Sequence, residues 1–294
     1  MKHVNTSIVE VGNRDNKTNK DTLKTTQNIG RLSNKVMVFG GIYSNYQALS
    51  TLISIAEREK IEPSNIICTG DIVGYCAEPE RCLQAVKDWG IHTILGNVEI
   101  QLRDDAPDCG CNFDNNSRCD VLSKQWYPFA QNHVSKSSRS WLASLPEHLT
   151  FKFGNKKWLV VHGSFFDTSA FIFRSTPWEI KKENLKAARV DGILAGHCGL
   201  PFHDVEAAHY WLNAGVIGMP ANDGTTRVWY MILEENPFRF EHRSFEYDFR
   251  TAYDLMTANA LPSAYAETLL TGIWDNCDIL PDEETEAQGC ALSL

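Results

Sequence analysis

Ile66-Ile67-Cys68-Thr69-Gly70-Asp71 is a short apolar run that stops at a glycine followed by a carboxylate. An uninterrupted apolar stretch of this length reads as a strand buried on both faces. The same design lies on either side of it. Val36-Met37-Val38-Phe39 ends at Gly40-Gly41, and Thr93-Ile94-Leu95 ends at Gly96-Asn97. Between them, Asn45 to Lys60 carries Leu49, Leu52, Ile53 and Ile55 on a helical period, and Pro79 to Trp89 carries Cys82, Leu83 and Val86 likewise. Strand, helix, strand, helix, strand at this spacing predicts βαβ units and a mainly parallel sheet, with ligands bound beyond the carboxyl ends of the strands.

Further along, Trp158-Leu159-Val160-Val161 runs into His162-Gly163, and Gly192-Ile193-Leu194-Ala195 into Gly196-His197. Strands are also expected at Tyr210 to Asn213, Arg227 to Leu233 and Arg239 to Phe245, with a helix near Ser135 to Leu145. Phe249 to Trp274 reads as two helices split at Pro262. Residues 1–34 are polar without apolar periodicity and are expected to be a flexible leader, with the main domain spanning 35–262. The remainder, 263–294, reads as a helix and a loose acidic tail.

The bulk properties narrow the function classes. A net charge of −9 repels a phosphate backbone, so polymeric nucleic acid is not an expected partner. No apolar run reaches the ~18–20 residues that cross a bilayer, and no hydrophobic stretch follows Lys2 as in a secretory signal. The nine cysteines are odd in number and dispersed, which does not suit a disulfide framework. The expected location is the cytoplasm.

Four predicted strand ends thus present Asp71, Asn97, His162 and His197, each beside a glycine. Any one alone is an ordinary polar strand terminus. Together, a carboxylate, an amide oxygen and two imidazoles form a mixed N/O set suited to Mn²⁺, Fe²⁺ or Zn²⁺ rather than Ca²⁺.

Gly70-Asp71-Ile72-Val73-Gly74-Tyr75, Gly96-Asn97, Val161-His162-Gly163-Ser164 and Gly196-His197 resemble the successive motifs of calcineurin-like metallophosphoesterases. The match is closest to the small bacterial phosphodiesterase and diadenosine tetraphosphatase-like branch. Asn213-Ala214-Gly215 with Gly218, Pro220, Asp223 and Arg227 resembles that branch's late strand-turn segment. The resemblance implies an α/β fold, a two-sheet β sandwich flanked by helices, and a two-metal hydrolase acting on a small phosphorylated ligand. It also implies that Asp71, Asn97, His162 and His197 hold one metal.

The motifs of the other metal are degenerate. Gly41-Ile42-Tyr43 stands where the family has D-x-H, Gly96-Asn97-Val98-Glu99 where it has G-N-H-[DE], and Gly196-His197-Cys198-Gly199 where it has G-H-x-H. Gly41, Tyr43 and Gly199 therefore mark lost ligands, and Val98 a lost leaving-group acid. One metal is expected, and a second is in doubt. Tyr43 reads either as a phenolate ligand for Fe³⁺ or as a ring packed over the sheet end. Glu99 reads either as a substitute proton donor or as a salt-bridge partner at a helix start, and Arg227 as a stabiliser of phosphoryl charge. Cys109, Cys111 and Cys119, in a polar insertion over 104–120, read as a zinc site, a redox or disulfide element, or a packed loop. Cys198 reads as a metal thiolate or as a thiol behind the ligands. Three functions stay open: a one-metal phosphoesterase, a catalytically silent metal- or nucleotide-binding or regulatory protein, and a thiol-dependent metal protein.

Overall fold

The computed structural model describes residues 24–294. Eleven strands are present: β1 (Thr26–Arg31), β2 (Lys35–Phe39), β3 (Ile66–Cys68), β4 (His92–Thr93), β5 (His148–Phe153), β6 (Lys156–Val160), β7 (Gly192–Ala195), β8 (Pro201–Glu206), β9 (His209–Ala214), β10 (Val228–Glu234) and β11 (Arg239–Phe245). The helices are α1 (Tyr46–Arg58), α2 (Pro79–Trp89), α3 (Asn97–Arg103), α4 (Arg118–His133), α5 (Lys136–Leu142), α6 (Trp178–Ala188), α7 (Phe249–Ala258), α8 (Ser263–Thr271) and α9 (Asp282–Glu286). One sheet has the order β1-β5-β6-β7-β9-β8, the other β11-β10-β2-β3-β4.

Period-two burial explains the layering. Val36 and Val38 of β2 join Trp158 and Val160 of β6, Leu194 of β7 and Met231 of β10 in the core between the sheets. The alternate residues Met37, Phe39, Tyr230 and Ile232 face the helices that cover the second sheet, among them α1, α2 and α4. Leu159, Ile193 and Ala195 face Leu185 of α6 on the other side. The result is a two-sheet sandwich flanked by helices, as the motif resemblance implies. Among the described residues no helix is long and apolar enough to cross a membrane.

Several local expectations are corrected. The leader reading of 1–34 fails at its end, because Thr26–Arg31 pairs in parallel with β5; residues 1–23 lie outside the described part. The sheets are more mixed than expected, since β10 runs antiparallel to both β2 and β11. The third strand is shorter than Thr93 to Leu95 predicts, and Asn97 opens α3 instead of merely ending a strand. The insertion gives way at Ser117 to α4, which carries Cys119, and α6, β5 and β8 were not expected. The acidic tail is attached to the body: Glu284 accepts hydrogen bonds from the Ser175 N–H and hydroxyl, and the Gly289 N–H donates to the Asn222 carbonyl.

Candidate metal centre

The ligand candidates are held by turns at the carboxyl ends of β3, β6 and β7 and by the first residue of α3. Gly70 and Asp71 both take positive φ, 95° and 56°, and His197 takes 60°. Left-handed backbone at non-glycine residues costs energy and gathers at functional sites. Glu99 holds the Asp71 turn in place. One carboxylate oxygen accepts from the N–H of Asp71 at 2.8 Å and of Gly96 at 2.9 Å, and the other from Val73 at 3.0 Å. Close approach requires glycine at position 96, where a Cβ would stand 2.2 Å from Oδ1 of Asp71.

His162 sits at the centre. Its Nδ1–H donates to the Thr69 carbonyl at 2.7 Å, which leaves a lone pair on Nε2 of the neutral ring. Around that nitrogen lie Asn97 Oδ1 at 3.0 Å, His197 Nδ1 at 3.1 Å and Asp71 Oδ2 at 3.2 Å. The Asn97 amide is oriented from behind, since its Nδ2 donates to the Cys109 carbonyl at 2.8 Å and to Cys111 Sγ at 3.2 Å. Its oxygen must therefore face the histidines. All four residues are buried.

This arrangement fits a cation. Lone pairs from four residues converge on one point, and Asp71 Oδ1 and His197 Nε2 are buried with no hydrogen-bond partner. Without an ion, a proton must stand in. Burial opposes charge on His162, but the charge and hydrogen bond of Asp71, the bond to the Thr69 carbonyl and the charge of Glu99 together raise that imidazole above its ordinary range. Burial, and then His162, push His197 down to about 3. Asp71, His162 and His197 are, among the described residues, the one group of three or more His, Cys, Asp or Glu whose donor atoms lie within 4.8 Å of one another. Asn97 Oδ1 adds the fourth donor.

The ring of Tyr43 crowds the turn that follows β2. At Gly41 a Cβ would lie 2.5 Å from Cζ of Tyr43, so the phenol head occupies the space a first-strand aspartate needs. Glycines 74 and 218 also approach Tyr43 too closely to carry a Cβ without displacement. Trp274 covers Gly199 in the same way, 3.2 Å from a Cβ placed there. Val98 is buried in the apolar core at the start of α3.

The two residues read as catalytic are engaged with other protein groups. The Arg227 guanidinium pairs with Asp223 at 3.1 Å, donates to the Leu292 carbonyl and lies over the Trp229 ring, away from the cavity beside Asp71. Glu99 makes neither a salt bridge nor a contact with that cavity; its oxygens are taken by three backbone N–H groups, and burial, then Asp71, raise its pKa to about 7. Cys111, Cys119 and Cys198 line the same cavity as Asp71 and His197, and none of them belongs to the candidate ligand group found among the described residues. Cys198 accepts from Asn213 Nδ2 at 3.1 Å, Cys119 contacts Asn276 Oδ1, and all nine cysteines are free.

The cavity in front of Asp71 and His197 has a volume of about 80 Å³. Tyr75, Tyr265, Trp274 and Phe171 line it, and none of these was singled out as a site residue. Tyr75 alone carries a local signal, closing the Gly70–Gly74 motif. Tyr265 and Trp274 arrive from the C-terminal segment by folding.

Comparison with known proteins agrees with this architecture. The model of the calcineurin-like phosphoesterase superfamily domain matches residues 35–236. An uncharacterized protein of Methanocaldococcus jannaschii is 24% identical over 252 residues, covering 81% of this chain and 98% of its own. The crystal structure of a metallophosphoesterase from Sphaerobacter thermophilus superposes with a TM-score of 0.66 at 22% identity, covering 82% of this chain and 100% of that one. A hypothetical protein from Pyrococcus horikoshii superposes at 0.68 with 19% identity, covering 82% and 99%. With more than half its length matched by the family model and the ligand-bearing turns in place, the chain belongs to the calcineurin-like phosphoesterase superfamily.

Proposed function

We propose that the protein binds one divalent transition metal, Mn²⁺, Fe²⁺ or Zn²⁺, through Asp71, Asn97, His162 and His197, and hydrolyses a small phosphate ester there. The observation that carries this reading is the set of three acceptor atoms within 3.2 Å of the lone pair on His162 Nε2. A divalent ion at that point supplies Lewis-acid polarisation of a phosphoryl oxygen. Asp71 and Asn97 give it oxygen donors, and Thr69 fixes the His162 tautomer. Substrate enters through the cavity lined by Tyr43, Tyr75 and Tyr265.

Turnover on this reading is slow. The position of the leaving-group acid is Val98, and a general acid contributes ~10²–10⁴-fold. Tyr43 stands where the family pattern has a histidine, and its ring crowds position 41, which supports a single ion. These two features favour a second reading, a catalytically silent protein that binds metal or a nucleotide and serves as a regulatory partner. The net charge of −9 supports a small phosphorylated ligand over polymeric nucleic acid, and nine free thiols suit the reducing cytoplasm.

The test is elemental analysis of the purified protein beside Asp71→Asn and His197→Ala, with a Mn²⁺-supplemented phosphodiester and phosphomonoester assay. One metal per chain, lost in both variants together with turnover, supports the enzyme. Metal without turnover supports the silent binder, and absence of metal in the wild type rejects the enzyme and leaves only a silent protein without metal.

A further inference from the structure

The cavity beside the candidate metal is unlike a phosphate site built from cations. No lysine or arginine lines it. Its one lining carboxylate besides Asp71 is Asp275, which is paired with Arg118 at 2.6 Å. A divalent ion with the Asp71 carboxylate and three neutral ligands leaves one net positive charge facing the cavity. One negative charge on a ligand balances that, and a second would be buried without compensation.

What the cavity offers instead is phenol hydroxyls. Tyr43, Tyr75 and Tyr265 all line it, and among the described residues none of their hydroxyls has a hydrogen-bond partner. The rings are mutually packed, Tyr43 on Tyr75 at 4.7 Å between centroids and Tyr75 on Tyr265 at 4.3 Å. Each phenol carries an O–H that can donate one hydrogen bond. Tyr43 carries its hydroxyl from the Cζ that stands over Gly41, at the strand end from which the family takes ligands for its second metal.

Size limits the occupant further. At ~10–15 Å³ per enclosed water position, about 80 Å³ holds a phosphoryl group with two small substituents. A dinucleoside polyphosphate is many times larger.

On the single-metal reading above, we propose that this cavity binds a small monoanionic phosphodiester, with the hydroxyls of Tyr43, Tyr75 and Tyr265 donating to its oxygens in place of a second metal. The aromatic faces accept the ester substituents, and the lack of cations disfavours phosphomonoester dianions.

The test uses Mn²⁺-loaded protein and two probes, dimethyl phosphate and inorganic phosphate at pH 8, where the latter is predominantly dianionic. Binding is read from paramagnetic ³¹P relaxation, and Mn²⁺ affinity separately from the electron paramagnetic resonance of free Mn²⁺. The expected result is tighter binding of dimethyl phosphate than of inorganic phosphate. Tyr43→Phe and Tyr265→Phe each weaken dimethyl phosphate about tenfold, as loss of a hydrogen bond to a charged group does, with Mn²⁺ affinity unchanged. Equal binding of dimethyl phosphate by wild type and Phe variants, or a preference for inorganic phosphate, overturns the inference while leaving the metal site standing. Failure of the wild type to take up Mn²⁺ removes the metal reading and this inference with it.

Discussion

Cζ of Tyr43 lies 2.5 Å from the place of a Cβ on Gly41, so the ring and a side chain at position 41 exclude one another at the first strand end. The two departures from D-x-H are thus one change, a ring in place of a carboxylate. Gly41→Asp alone should overpack the site and cost roughly 1–3 kcal/mol. Gly41→Asp with Tyr43→His should recover most of that loss. Urea unfolding of the single and double variants checks this, and equal destabilisation by both would show that the ring does not set the constraint.

Metal should act as a stabilising ligand of the folded state alone. At a hundredfold excess over its dissociation constant an ion adds about 2.7 kcal/mol. Thermal unfolding with and without Mn²⁺ or Zn²⁺ should therefore show a rise in Tm of several degrees for wild type and none for Asp71→Asn. A rise of equal size in the variant would place the ion elsewhere.

Glu99 is a clamp. Its carboxylate joins the Asp71 turn, Val73 and the start of α3 through three N–H groups. Glu99→Gln keeps a single acceptor oxygen and should lose about 1–3 kcal/mol, since buried donors are left unmet. Metal affinity should fall with it, because the turn that aims Asp71 loosens. Unchanged stability in Glu99→Gln would mean that water or the amide satisfies the freed N–H groups.

How much of this was legible in the sequence follows from the range of each signal. The ligand turns were readable because glycine beside a polar residue at the end of an apolar run is a local pattern. The strand Thr26–Arg31 was not, since it is polar and mostly exposed and pairs only through its backbone with β5. The sequence could not show that Arg227 pairs with Asp223 and lies over the Trp229 face, a placement decided by tertiary packing. Tyr265 and Trp274 come from more than 160 residues beyond the Gly70–Gly74 motif in numbering, and no periodicity could place them over Tyr43. The spacing of the thiols could not show that Cys111 serves Asn97 as an acceptor and that Cys119 contacts Asn276, contacts that fold from distant segments.

Burial of His242, which supports the turn behind His197, makes stability pH-dependent. His242 Nε2–H donates to the Asn213 carbonyl at 2.8 Å, and Asn213 Nδ2 donates to the Gly196 carbonyl at 2.9 Å and to Cys198 Sγ. Burial lowers the His242 pKa to about 4; the bonds to Asn213 and Phe202 oppose that shift, and His203, with ring centroids 5.7 Å apart, adds to it. A histidine with a depressed folded pKa binds its proton more readily when unfolded. Its stabilising effect is complete above the unfolded value near 6.5 and is lost as pH falls toward about 4. Between pH 7 and pH 5 the wild type should lose about 2 kcal/mol more than His242→Gln, which cannot titrate. Urea unfolding of both proteins at the two pH values measures the difference, and parallel losses would mean that burial does not depress the folded-state pKa of His242.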